Sequence, residues 1–160
     1  MSDVKSKPKV DHVKWSDKYS MGIKLIDKQH MWLINFVNAL FTHATGNEHL
    51  ERKYFQKVIQ KAVQYVHIHF ETEEKYMLAT KFPGYEEHKQ AHDDFVQKII
   101  FTVKSYKAGK KLVLENFAIF LRDWLVSHVA IMDKQYSIYF KEIATRKEDG
   151  KLSIKLTDIK

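Results

Sequence analysis

A chain of 160 residues, 44% hydrophobic and 13% aromatic, is long enough for one domain with a single sizeable core and short for two. It has no cysteine, which excludes disulfides, iron–sulfur clusters and thiolate zinc sites and leaves nitrogen and oxygen as the only metal donors. The net charge of +7 would suit an anionic partner, but Met1 to Lys14 and Lys141 to Lys160 supply +4 of it, so solvated ends explain it better than nucleic acid.

The first fourteen residues are polar and Lys-rich, without the apolar run of a signal peptide, and no uncharged apolar stretch could cross a bilayer. A cytoplasmic protein with no membrane insertion is therefore the expectation. Met1 to Trp15 reads as an extended arm with Trp15 packed on the body of the protein. Only five Gly and two Pro interrupt the chain, leaving long breaker-free stretches of helical period.

The first such stretch runs from about Ile23 to Thr42, with Ile23, Ile26, His30, Leu33, Val37 and Phe41 on one stripe, and ends near Gly46-Asn47. The second runs from about Glu48 to Ala79, its stripe made of Phe55, Ile59, Ala62, Val66, His69, Glu73 and Met77. Lys81-Phe82-Pro83-Gly84 stops it. The third, about Glu86 to Ala108, carries His88, His92, Phe95, Ile99, Val103 and Tyr106, and Gly109 closes it. The fourth, about Leu112 to Lys141, is apolar over a wide face that includes Phe117, Leu121, Trp124, Leu125, His128, Met132, Tyr136 and Phe140. Short connections force antiparallel neighbours, so the fold class is all-α, an up-down-up-down four-helix bundle over residues 15–141. The N-terminal arm spans 1–14 and a C-terminal extension 142–160. Lys151 to Leu156 alternates over too few residues to be more than a short strand or a partner-binding tail.

Each helix places His, Glu or Asp on an otherwise apolar stripe. His69 and Glu73, like His88 and His92, are four apart, so each pair faces one way about one turn apart. A carboxylate in a dry interior costs several kcal/mol unless it is paired or binds a metal. Five histidines and a glutamate converging from four helices cannot easily satisfy one another, whereas a metal centre can. His67 and Glu71 have the same spacing but join Lys53, Lys57, Gln60, Gln64 and Lys75 on a polar stripe, so they are assigned to solvent. His12, His43 and His49 lie in or near expected loops and receive the same reading.

Asp133 is left open by spacing. Five residues at ~100° each put it about 140° around the helix from His128. It faces inward if the fourth helix is broadly buried, or if a π-bulge resets the register. Five imidazoles with two carboxylates exceed one ion but suit two, and imidazole with carboxylate fits iron, zinc, copper or nickel. His88 lacks the following Glu of the zinc-protease motif, and no Glu-x-x-His of the ferritin-like di-iron bundles occurs.

These stretches together resemble the hemerythrin family, and within it the single-domain bacterial members. Its motifs are matched by Trp15 with Met21-Gly22-Ile23, by Ile26-Asp27-Lys28-Gln29-His30, by His69-Phe70-Glu71-Thr72-Glu73-Glu74, by His88-Lys89-Gln90-Ala91-His92, and by Trp124-Leu125-Val126-Ser127-His128 leading to Asp133 and Tyr136. The resemblance covers about Trp15 to Phe140. It implies reversible dioxygen binding, for carriage, storage or delivery, at two iron ions (Fe2+/Fe3+) with a bridging oxo or hydroxo group. One ion would take His88, His92 and His128 and the other His30 and His69, with Glu73 and Asp133 bridging and an open position at the second. Leu125 would line or gate the oxygen pocket, with Phe70, Trp124 and Tyr136 around it.

No separate general acid, base or nucleophile is aimed at an organic substrate, so no catalytic residues and no enzyme are expected. Two other readings remain: an oxygen or redox sensor whose tail contacts a protein partner, and an enzyme reducing peroxide or nitric oxide at the same centre.

Overall fold

The computed structural model describes residues 12–148, and its elements are helices joined by short loops. The expected strand or partner segment Lys151–Leu156 lies outside the described residues, as does most of the N-terminal arm. A 3-10 turn, Asp17–Tyr19, precedes α1 (Lys24–His43), α2 (Glu48–Ala79), α3 (Tyr85–Lys107) and α4 (Leu114–His128). A π-helical turn, Val129–Asp133, then joins α4 to α5 (Lys134–Glu148). The sequence pattern thus finds every helix, but the fourth is longer than expected: it continues past Lys141, where Ile143 still buries its side chain. Helix α1 packs against both α2 and α4, and α2 against α3, an antiparallel bundle. Among the described residues there is no strand, and no helix is long and apolar enough to cross a membrane.

Local chemistry fixes the ends. Asn47 caps α2 by accepting the Leu50 N–H at 3.1 Å. Glu51, buried one turn later, accepts the Gly46 N–H at 2.6 Å and the Leu114 N–H at 3.4 Å, tying the α1–α2 loop to the start of α4. Helix α3 ends in a Schellman motif: Gly109, at φ +84°, donates to the Tyr106 carbonyl while Lys110 donates to that of Ser105. Helix α2 closes in the same way with Lys81 at φ +54°, a conformation that ordinarily favours glycine, before Pro83 prevents continuation.

The arm and the entry loop are fastened to the bundle. Val13 and Asn38 exchange two 2.9 Å bonds between backbone and side-chain amide, and Trp15 packs on the core as expected. Asp27 accepts from the Met21 N–H at 2.6 Å and the Ser20 hydroxyl at 2.8 Å, holding the strap that carries Tyr19.

The apolar interior is in two parts. The larger runs from Leu33 to Leu40 on α1, through Phe55 and Phe70 on α2 and Phe95 and Ile99 on α3, to Leu114–Leu125 on α4. The smaller collects Met21, Ile23, Ile26, Met77 and Tyr136. A band of buried histidines and carboxylates falls between the two, made of His30 on α1, His69 and Glu73 on α2, His88 and His92 on α3, and His128 and Asp133 about the π-turn.

Candidate metal centre

Ordinary helical geometry delivers six of the seven side chains. The seventh needs the π-turn, which absorbs one extra residue, so Asp133 becomes fully buried while His128 is 4% exposed. Of the two routes left open by spacing, the register shift is the one taken. It also removes Met132 from the buried stripe on which its spacing had placed it, leaving it half-buried.

All five imidazoles turn Nε2 towards Glu73 and Asp133. His30 Nε2 lies 3.3 Å from Glu73 Oε1 and 3.2 Å from Asp133 Oδ2. His69 Nε2 is 3.7 Å from Glu73 Oε1. On the other side His92 Nε2 is 3.3 Å and His88 Nε2 3.8 Å from Glu73 Oε2, while His88 and His128 stand 3.1 and 3.2 Å from Asp133 Oδ1. Two groups emerge, Glu73 with His88, His92 and His128, and Glu73 with His30 and His69, each with one donor atom per residue converging.

Protein groups alone leave this arrangement unsatisfied. Among the described residues, the buried side-chain atoms without a hydrogen-bond partner are Glu73 Oε2 and both carboxylate oxygens of Asp133. His128 Nε2 sits 3.0 Å from Nε2 of both His88 and His92, yet a ring nitrogen carries at most one hydrogen. Donors at right angles about 2.1 Å from one cation lie roughly 3.0 Å apart, so the crowding suits an ion at the centre. The donor set and the orphaned oxygens therefore fit a pair of cations.

The electrostatics agree. Burial pulls His30 down, but the negative charge of the adjacent Asp133 and Glu73 carboxylates more than offsets it and carries its pKa up to about 10; the same balance takes His88 to about 9. Burial dominates at His69, which falls to about 4. Burial would raise both carboxylates, but the surrounding imidazoles hold Glu73 and Asp133 well below the usual range.

Outer contacts orient the rings. His30 Nδ1 donates to the Tyr19 carbonyl at 3.2 Å, His69 Nδ1 to Gln29 Oε1 at 3.1 Å and His92 Nδ1 to Glu74 Oε1 at 3.1 Å. Each acceptor takes the Nδ1 hydrogen, so that an Nε2 relieved of its proton by a cation presents its lone pair inward, as metal ligation requires. Gln29 and Glu74 stand within the matched motifs, but the sequence assigned them no role. The signal for Gln29 is its position beside His30; for Glu74 there is little, because a Glu next to Glu73 looks like any solvated residue.

Of the expected pocket residues, Phe70 stacks on His92 at 3.8 Å and Trp124 on His128 at 4.3 Å. Behind these rings, with Leu125, lies a cavity of about 190 Å3 with an almost wholly apolar lining, reaching the exposed side chains Val63 and His67 on α2. Tyr136 does not line it. Its ring packs on Phe82 in the smaller apolar cluster, and its hydroxyl accepts from Thr80 at 3.4 Å. His67 and Glu71 pair with each other on the surface, 73% and 49% exposed, and His43 stacks on Tyr54 at the exposed end of α1.

A four-helix bundle with a dry, two-centred cluster of imidazoles and carboxylates is the class of protein that this geometry defines. Residues 21–137 match the family model described as the hemerythrin HHE cation binding domain. Bacteriohemerythrin of Methylococcus capsulatus is 32% identical over 120 residues, 74% of this chain and 88% of its own. Hemerythrin of Themiste dyscrita is 26% identical over 122 residues, covering 76% of this chain and 88% of its own. A crystal structure of wild-type hemerythrin superposes with a TM-score of 0.67 at 29% identity, over 79% of this chain and 96% of that one. The chain belongs to the hemerythrin family.

Proposed function

We propose that this chain holds two iron ions and binds dioxygen reversibly, for carriage, storage or delivery. The observation that carries the proposal is the set of three orphaned carboxylate oxygens on Glu73 and Asp133, enclosed by five imidazoles in an interior closed to water. His88, His92 and His128 would hold one ion, His30 and His69 the other, and Glu73 and Asp133 would bridge them. When bound, such an iron pair supplies two electrons to dioxygen and recovers them on release.

The chain's own residues favour binding over turnover. Five neutral imidazoles stabilise highly oxidised iron less than a carboxylate-rich set does. Phe70, which lies against both His69 and His92, covers the cluster with Trp124 and Leu125 in apolar surface, which admits a small apolar molecule from the cavity while disfavouring water. The Nδ1 hydrogens of His30, His69 and His92 are committed to Tyr19, Gln29 and Glu74, so these three rings hold no free proton for an organic substrate.

The test is optical. The reduced protein mixed with air should form a stable coloured adduct that disappears under argon and returns with oxygen. Repeated consumption of added peroxide, with no such adduct, would replace carriage by catalysis.

A further inference from the structure

Glu74 adjoins Glu73 but turns away from the cluster, 19% exposed, to take the Nδ1 hydrogen of His92 at 3.1 Å. Its other oxygen lies 3.8 Å from the Lys89 ammonium, which also bonds Asp93 at 2.9 Å. The matching positions across the site are neutral. His69 Nδ1 meets the Gln29 amide, itself bonded to the Thr72 hydroxyl at 3.3 Å, and His30 Nδ1 meets a backbone carbonyl. The three-histidine group is thus backed by a full negative charge and the two-histidine group by dipoles.

Resting on the di-iron reading, we infer that Glu74 is a positioning residue that makes the two ion positions electrically unequal, orienting His92 and favouring the more highly charged ion at the three-histidine position. The physical ground is that a carboxylate behind an imidazole makes the ring a stronger donor and stabilises positive charge beyond it, whereas an amide does the first weakly and the second hardly at all. Lys89 moderates the effect, since it shares its charge between Glu74 and Asp93. The partial exposure of Glu74 keeps that charge real but screened.

The experiment measures the reduction midpoint of the iron-loaded full chain, with chelator competition for iron retention. Glu74→Gln keeps the acceptor oxygen and the shape but removes the charge. It should move the midpoint to more positive potential, by the equivalent of roughly tenfold in the reduction equilibrium, and weaken retention by about the same factor. Lys89→Met leaves Glu74 less compensated and should move the midpoint the opposite way by a smaller amount, a reversal that a merely structural role would not produce. A midpoint unmoved by Glu74→Gln, or moved in the same direction by both substitutions, overturns the inference while leaving a two-iron protein intact. An unaltered chain that fails to retain two irons removes the di-iron reading, and the inference with it.

Discussion

Helix α2 and the fourth helix each present a histidine and a carboxylate to the same centre, by different means. On α2 the pair His69 and Glu73 is four residues apart in regular helix, and spacing alone aligns them. On the fourth helix His128 and Asp133 are five apart, and the π-turn over Val129–Asp133 takes up the surplus where Ile131 stands 58% exposed. The register of that helix is set from both sides: Leu121 and Leu125 must face the core before the turn, and Tyr136 and Ile143 after it. An extra residue can be accommodated only where nothing is packed against it.

The most severe way to break the comparison is to delete Thr72. Without a compensating turn, Glu73 and all of α2 beyond it rotate by ~100°, and the protein should lose both ions, read as metal content after gel filtration. Retention of about two would show that α2 adapts as the fourth helix does. Asp133→Ala comes next: it removes a buried donor and should weaken metal retention by at least the roughly 10–100-fold that losing an outer partner costs. Unchanged chelator competition would show that the π-turn delivers Asp133 for packing alone.

In the metal-free protein the centre becomes a pH-sensitive ion-pair cluster. His30 and His88 have folded pKa values of about 10 and 9, above the ordinary value of 6.5, so their contribution is complete below about pH 6.5 and lost as pH rises through 9 to 10. His69, lowered to about 4, acts oppositely, and the lowered carboxylates add to the loss in acid. The Tm of metal-free protein should therefore fall between pH 8 and 10, while the loaded protein, whose histidines are already neutral ligands, should not follow it; parallel curves would contradict the assignment.

Leu125→Ala sharpens the contrast locally, because Leu125 is 5% exposed and lines the cavity. It should cost about 2–5 kcal/mol in stability and speed autoxidation by admitting water, visible as faster decay of the oxygenated spectrum. The smallest effect is expected from deleting Ile131. A regular helix would then carry His128 and Asp133 four apart, as on α2, and metal content should stay near two per chain.

The contrast between the two helices also explains what the sequence could disclose. Residues aligned by regular helix were legible, as was the contrast with exposed His67 and Glu71, because the neighbours of each pair reveal the face it occupies. Asp133 was left open by spacing and reached only through the family resemblance, since a π-turn answers to packing on both sides and not to local spacing. The outer partners were hidden for another reason: Tyr19 acts through a backbone carbonyl, which any residue supplies, and Gln29 and Glu74 declare themselves only once a ring is seen against them. Tyr136 shares an apolar stripe with residues that line the cavity but packs in the smaller apolar cluster, and stripe membership alone does not tell those two environments apart.

Anomalous diffraction at the iron edge from crystals of the full chain tests the central claim most directly. Two peaks per chain are predicted, one among His88, His92 and His128, the other beside His30 and His69, with Glu73 and Asp133 between them. A single peak, none, or iron bound only at surface pairs such as His67 and Glu71 would contradict it.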